Sequence, residues 1–180
     1  MTSALETPVS EQGSLSGRVG MVPALSAADR SAVCREVAAS LDWGRLCNAD
    51  ERSWEVVRRV EEYEARLIGW PPGGRVQFHD HGASGGSVLV LDGALHELTP
   101  YLCSDESLRL ERQRYAAGAL LEFEPAHVHD LVNEGGASAV SLHVYSPRLE
   151  SMTYFDLGPR GIVERETLRP IEDRWTHHLP

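Results

Sequence analysis

The stretch Gly73–Gly93, "GGRVQFHDHGASGGSVLVLDG", sets two histidines, His79 and His81, one residue apart in a strand-like run. In a strand, residues i and i+2 project from the same face, so both imidazoles enter one space. If the strand belongs to a barrel, that space is the barrel interior. The plain alternative is an Asp-flanked pair of exposed histidines with no function, and the surroundings decide between the two.

Working outward, the chain from about residue 52 reads as short β-branched or alternating runs: "YEARLIGW", "RVQFHDH", "SVLVLDGALHELTPYL", "LRLERQRYAAGALLEFE" and "SAVSLHVYS". Turn-rich pieces such as "PPGG", "GASGG" and "NEGGAS" separate them. Many short strands with no helical pattern between them predict an all-β fold, an antiparallel barrel or jelly-roll. One helical signal precedes them. Ser26 is placed to cap, Asp29 follows in the first turn, and Val33, Val37 and Leu41 recur every four residues. The expected organisation is a flexible tail over 1–24 and a single domain over 25–180. Within it, 25–50 is helical and 158–180 is a charged tail that either folds back over the barrel or frays.

At 180 residues the chain fits one domain with a sizeable core. A net charge of -10 argues against a general nucleic-acid binder, which needs clustered Lys and Arg. No apolar run approaches the roughly 20 residues that span a bilayer, and the first residues lack the pattern of a secretory signal. Cys34, Cys47 and Cys103 are odd in number and far apart, which suits free thiols in a reducing compartment. The cytoplasm is the expected location, with no membrane or nucleic-acid partner.

The spacing carries more. Gly73, five residues, His79-Asp80-His81 and then Gly93 after a strand resembles the first cupin motif. About fifty residues on, "AHVHDLVN" supplies His129 and, after three residues, Asn133, the ending of the second. His127 competes with His129, and the spacing to Asn133 favours His129. Where cupins carry a glutamate ligand this chain has Gly86. Three neutral imidazoles, His79, His81 and His129, would then hold a divalent metal with its full double charge and open positions. Such a centre favours an anionic ligand from the substrate, and a thiolate is the softest candidate.

In "AVSLHVYSP" (139–147), Ser141, His143 and Tyr145 alternate and so share one strand face. A buried polar row satisfies itself by hydrogen-bonding along its length. With this row, "WPPGGRVQFHDHGASGG" and "HVHDLVN", the chain over about 50–157 resembles the thiol dioxygenases, in particular bacterial homologues of cysteine dioxygenase. The resemblance implies a mononuclear non-haem Fe(II) held by His79, His81 and His129, and a Ser141–His143–Tyr145 triad with Tyr145 beside the substrate. It implies a small thiol and O2 as reactants, a sulfinic acid as product, and a Ser146–Pro147 bond able to be cis. The cysteine that cross-links to this tyrosine in animal members is replaced by Gly86.

The same resemblance implies an arginine that grips the substrate carboxylate through two parallel donors. By register, Val56 falls at that arginine's place and Trp54 at that of its tyrosine neighbour. Arg58 or Arg59 is therefore the expected clamp. The two face opposite ways on a strand, so at most one points inward. Arg66, Arg75 and Arg148 are further candidates, and each arginine alone also reads as a solvated charge. Cysteine, 3-mercaptopropionate and other small thiol acids stay open as substrates, and monomer and homodimer as assemblies. A Zn-dependent hydrolase or isomerase and a non-enzymatic small-molecule-binding cupin are the rival readings.

Overall fold

The computed structural model describes residues 23–46, 50–158 and 161–169, and the backbone of 174–175. All but the last two residues of the expected N-terminal tail, together with Cys47, lie outside the described residues.

Helix α1 (Ala27–Ser40) begins where the cap predicts, with the Ser26 Oγ accepting from the Asp29 N–H at 3.2 Å. Its buried face is Arg30, Cys34 and Val37, rotated from the Val33–Val37–Leu41 stripe. A charged residue hides there because both terminal nitrogens of its guanidinium are engaged. Arg30 donates to the carbonyls of Leu25 and Phe123 at 2.9 and 3.1 Å and to Glu124 at 2.9 Å.

The strands follow as β1 (Ser53–Arg59), β2 (Glu64–Trp70), β3 (Arg75–His79), β4 (Gly85–Asp92), β5 (Ala94–Leu102) and β6 (Leu108–Ala116). Then come β7 (Leu120–Phe123), β8 (His129–Val132), β9 (Ala139–Ser146), β10 (Met152–Gly158), β11 (Gly161–Leu168) and β12 (Arg174–Trp175). They form two six-stranded antiparallel sheets, ordered β12-β1-β2-β9-β4-β7 and β11-β10-β3-β8-β5-β6. This is the jelly-roll layout expected from the strand pattern. Of the charged C-terminal segment, β11 pairs with β10 and β12 with β1.

Strand β9 is buried along its whole length, and its two faces do different work. Val140, Leu142 and Val144 pack outward with Cys34 and Val37 of α1, so the helix covers that face of the first sheet. His143 and Tyr145 face the space between the sheets. Strand β2 divides likewise, with Ala65 and Leu67 toward the helix and Arg66, Ile68 and Trp70 inward. The outer apolar layer lets both strand faces be buried without stranding polar groups.

Two motif residues act as braces. The Asn133 side-chain amide donates to the carbonyls of Trp70, Pro71 and Ala137 at 3.0, 3.1 and 2.8 Å, tying the ends of β2, β8 and β9 together. Gly93 turns at φ +71 with Ala139 so close that a Cβ would sit 2.8 Å from it. Glycine alone meets both demands at little cost. The Ser146–Pro147 bond is cis. No helix among the described residues is long and apolar enough to cross a membrane.

Candidate functional site

His79 ends β3 and pairs in register with His129 at the start of β8. His81 lies two residues beyond His79, and the alternation survives the end of the strand because Asp80 is held in place. The Asp80 N–H donates to the Thr153 carbonyl at 2.9 Å, and its carboxylate accepts from the Gly82 and Thr153 N–H groups at 3.1 and 3.2 Å. The three rings converge: centroids are 4.7 Å apart for His79–His81, 4.8 Å for His79–His129 and 5.2 Å for His81–His129. One nitrogen of each lies within 4.8 Å of those of the other two.

All three are buried. Burial, reinforced by the neighbouring imidazoles, holds His79 and His81 well below the ordinary histidine pKa. Burial also lowers His129, against the opposing pull of Glu97. Neutral rings keep a lone pair each. His79 Nδ1 donates to the Gln77 carbonyl at 2.7 Å, which leaves its Nε2 as the acceptor. His129 Nε2 and His81 Nδ1 are buried with no hydrogen-bond partner. Buried orphans of this kind need an explanation, and a divalent cation among three neutral imidazoles provides one.

Phe123 of β7 occupies the space beside them where Gly86 leaves room. A Cβ on Gly86 would fall 2.1 Å from the phenyl Cζ. The ring stacks on His81 at 4.5 Å between centroids and 21° between planes. Gly86 also stands opposite Tyr145 in the β4–β9 register, and the described cysteines, Cys34 and Cys103, lie elsewhere in the fold.

The Ser141–His143–Tyr145 row forms a continuous chain of hydrogen bonds. Trp70 Nε1 donates to Ser141 Oγ at 2.8 Å, and Ser141 Oγ lies 2.8 Å from His143 Nε2. His143 Nδ1 lies 3.1 Å from the Tyr145 hydroxyl. Indole is a donor only, so Ser141 accepts from it and keeps its own hydroxyl proton available for Nε2 of His143. Burial, then the charge of Arg52, keeps His143 neutral. With Ser141 as the donor to Nε2, its one N–H sits on Nδ1 and points at the Tyr145 oxygen, leaving the phenolic proton to face the cavity. Burial raises the Tyr145 pKa far above that of a free phenol, so that proton stays in place.

His79, His81, Trp70, His143 and Tyr145 border a cavity of about 40 Å³. That is room for about three waters at 10–15 Å³ each. Ile68, Val76, Leu131, Leu149, Met152 and Leu168 supply apolar wall, and Arg52 and Arg66 are its cations. Arg66 is engaged: its Nε donates to Glu64 Oε1 at 2.7 Å, its Nη2 lies 2.6 Å from the same oxygen, and it stacks 4.2 Å over Trp54. Arg52 lies 5.0 Å over Trp70, and its buried Nε has no hydrogen-bond partner. The residue keeps some exposure overall, but burial still pulls its pKa down, against the weaker opposing pull of Tyr154 and Tyr145.

The arginines expected as clamps lie elsewhere. Arg58 donates to Glu36 of α1 at 2.8 Å and to Tyr63 at 3.3 Å, on the helix side of the sheet. Arg59 binds Glu64 Oε2 at 3.1 Å and, with Arg148, lines a separate open groove of about 700 Å³. Arg75 is half-exposed on Asp130. The reason is a register shift between Val56 and Arg58. Arg52 and Trp54 face the cavity, and strict alternation would bring Arg58 in after them, but the bulge reverses the face.

One further residue went unforeseen. Glu97 of β5 accepts from His129 Nδ1 at 2.7 Å and from His127 Nε2 at 3.1 Å, both on Oε1, while Tyr115 donates to Oε2 at 3.2 Å. Burial raises its pKa, but the two imidazoles outweigh that and bring it down to about 2. His127 is the outer of the two competing histidines, with 30% of its side chain exposed against none for His129. A signal was present. In "ALHEL" (94–98), Leu95 and Glu97 share a strand face, so an acid stands in an inward position. His96 lies beside Glu134 instead.

Two antiparallel sheets closed around inward-facing histidines define a cupin. A family model described as cysteine dioxygenase type I matches residues 24–157, and the chain belongs to that family. Similar solved structures include TT1209 from Thermus thermophilus, 24% identical over 60% of this chain and 96% of that one, with a TM-score of 0.46. Another is a Klebsiella pneumoniae protein with a double-stranded beta-helix domain, 17% identical over 70% of this chain and 96% of that one, TM-score 0.46. A cupin superfamily protein from Desulfitobacterium hafniense is 10% identical over 61% and 85%, TM-score 0.46.

Proposed function

We propose that the chain is a non-haem Fe(II) thiol dioxygenase that converts a small thiol acid and O2 into the sulfinic acid. The observation that carries this reading is the convergence of three neutral imidazoles, two of which line a small cavity with a protonated phenol and an arginine that has no acidic partner among the described residues. The family supports the reaction class. In the overall reaction RSH and O2 give RSO2H. Sulfur loses four electrons and dioxygen gains them, so no outside reductant is needed.

His79, His81 and His129 are the residues that would hold the metal. Bound there, iron supplies redox reactivity toward dioxygen and lowers the pKa of a coordinating thiol. Arg52 binds the carboxylate of the substrate, because an anion relieves a partly buried cation that lacks a counter-charge among the described residues. Tyr145 presents its hydroxyl proton toward the reacting sulfur and oxygen, held in that orientation by His143, Ser141 and Trp70. The apolar wall keeps water from the sulfur.

The test is oxygen uptake by anaerobically Fe(II)-loaded protein with cysteine, 3-mercaptopropionate and cysteamine. The expected result is uptake and sulfinate with an acid-bearing thiol and much less with cysteamine. Silence with all three while iron is bound, or turnover of a hydrolysable substrate by the Zn form alone, would overturn the reading.

A further inference from the structure

We infer that Glu97 is a positioning residue for the three-histidine centre. It holds His129 in the tautomer that leaves the lone pair on Nε2, and it supplies from behind that ring the negative charge that Gly86 leaves out. The inference rests on the proposed role of His79, His81 and His129 as metal ligands.

The geometry is built around the carboxylate. Glu97 pairs in register with Leu131 on the neighbouring β8, two residues from His129 on the same strand face. Its side chain is only 9% exposed, and both oxygens are engaged, by His129 and His127 on one and Tyr115 on the other. A carboxylate only accepts, so the nitrogen facing it must carry the hydrogen. Neutral His129 then has its N–H on Nδ1 and its lone pair on Nε2, the atom that is buried without a partner.

The other two histidines are backed differently. His79 leans on a neutral carbonyl, that of Gln77, and no carboxylate hydrogen-bonds to His81 among the described residues. Among the described residues, carboxylate charge therefore reaches the centre from behind through His129. At Gly86 a carboxylate touching the metal is blocked by Phe123. At Glu97 the carboxylate sits one imidazole further out, where it strengthens a ligand without taking up an open position. Partners of this kind orient a ligating imidazole and raise its basicity.

Glu97→Gln keeps the shape and removes the charge. The measurements are the Zn(II) dissociation constant by chelator competition and the midpoint potential of bound iron. The expected result is metal binding weakened by about 10–100-fold and a higher potential, since the oxidised ion loses more stabilisation. Tyr115→Phe removes a hydrogen bond from the same carboxylate but not its charge, so it should lower thermal stability while leaving both readings near wild type. Glu97→Gln with unchanged affinity and potential would overturn the inference while leaving the metal centre intact. If His129→Ala binds Zn(II) as tightly as wild type, the three-histidine reading itself falls, and this inference falls with it.

Discussion

The phenyl ring of Phe123 stands where any side chain on Gly86 would have to go, 2.1 Å from the position of its Cβ. The missing acid is thus a packed feature. Gly86→Glu should add no ligand. It should destabilise the fold by about 1–3 kcal/mol, as overpacking does, and leave metal affinity no better. Gly86→Glu with Phe123→Ala opens the space, so the double variant should recover stability and bind Zn(II) more tightly than the single. Tight binding by the single variant, measured by chelator competition, would show that the ring moves aside freely.

Arg52 should govern recognition of the acid group. Arg52→Gln is expected to lower kcat/KM for the acid-bearing thiol by about 30–150-fold, equivalent to roughly 2–3 kcal/mol for losing one side of a buried charge pair. Any slow turnover of cysteamine should change little. Arg58→Gln, whose side chain faces Glu36, should behave as wild type. Steady-state kinetics on both variants separates the two arginines.

Tyr145→Phe should lower kcat by about 100-fold or more, within the span of positioned proton donors, with little change in metal content. Burial raises the phenol pKa, so the protonated, active form persists as pH rises and is lost only above the range of a free phenol. The pH profile of kcat from about pH 7 to about 9 should therefore show no fall caused by Tyr145. A fall in wild type that disappears in Tyr145→Phe would contradict this.

His127 and His129 should differ in kind. His129→Ala should bind little iron, whereas His127→Ala should retain about one equivalent per chain. Metal analysis after anaerobic loading and desalting decides between them.

Cys34 sits in the core under α1, and burial raises its thiol to about 12. It should stay protonated and unlabelled by iodoacetamide at about pH 8 in the folded protein, while the partly exposed Cys103 reacts. Peptide mapping by mass spectrometry measures each site. Rapid labelling of Cys34 would mean that α1 opens readily.

The inward histidines and the Ser141–His143–Tyr145 row were legible because strand alternation fixes which side chains share a face, and Asp80 carries that alternation past the end of β3. Gly86 was legible as an absence, but Phe123, which fills it, belongs to another strand. The outward turn of Arg58 was hidden by the bulge after Val56, since local spacing cannot reveal a reversal that depends on how β1 pairs with β2. Glu97 gave a faint local sign beside Leu95. Its partners come from β6, β8 and the turn before β8, and no periodicity joins them. The face of α1 was misjudged because Arg30 finds acceptors at Phe123 and Glu124, at the end of β7 and beyond the reach of a helical repeat.

The most direct test of the central claim is turnover under 18O2 with the preferred thiol acid, reading the sulfinate by mass spectrometry. Dioxygenation requires both sulfinate oxygens to carry the label, with one O2 consumed per product. Label in only one oxygen or in neither, with the balance drawn from water, would contradict it.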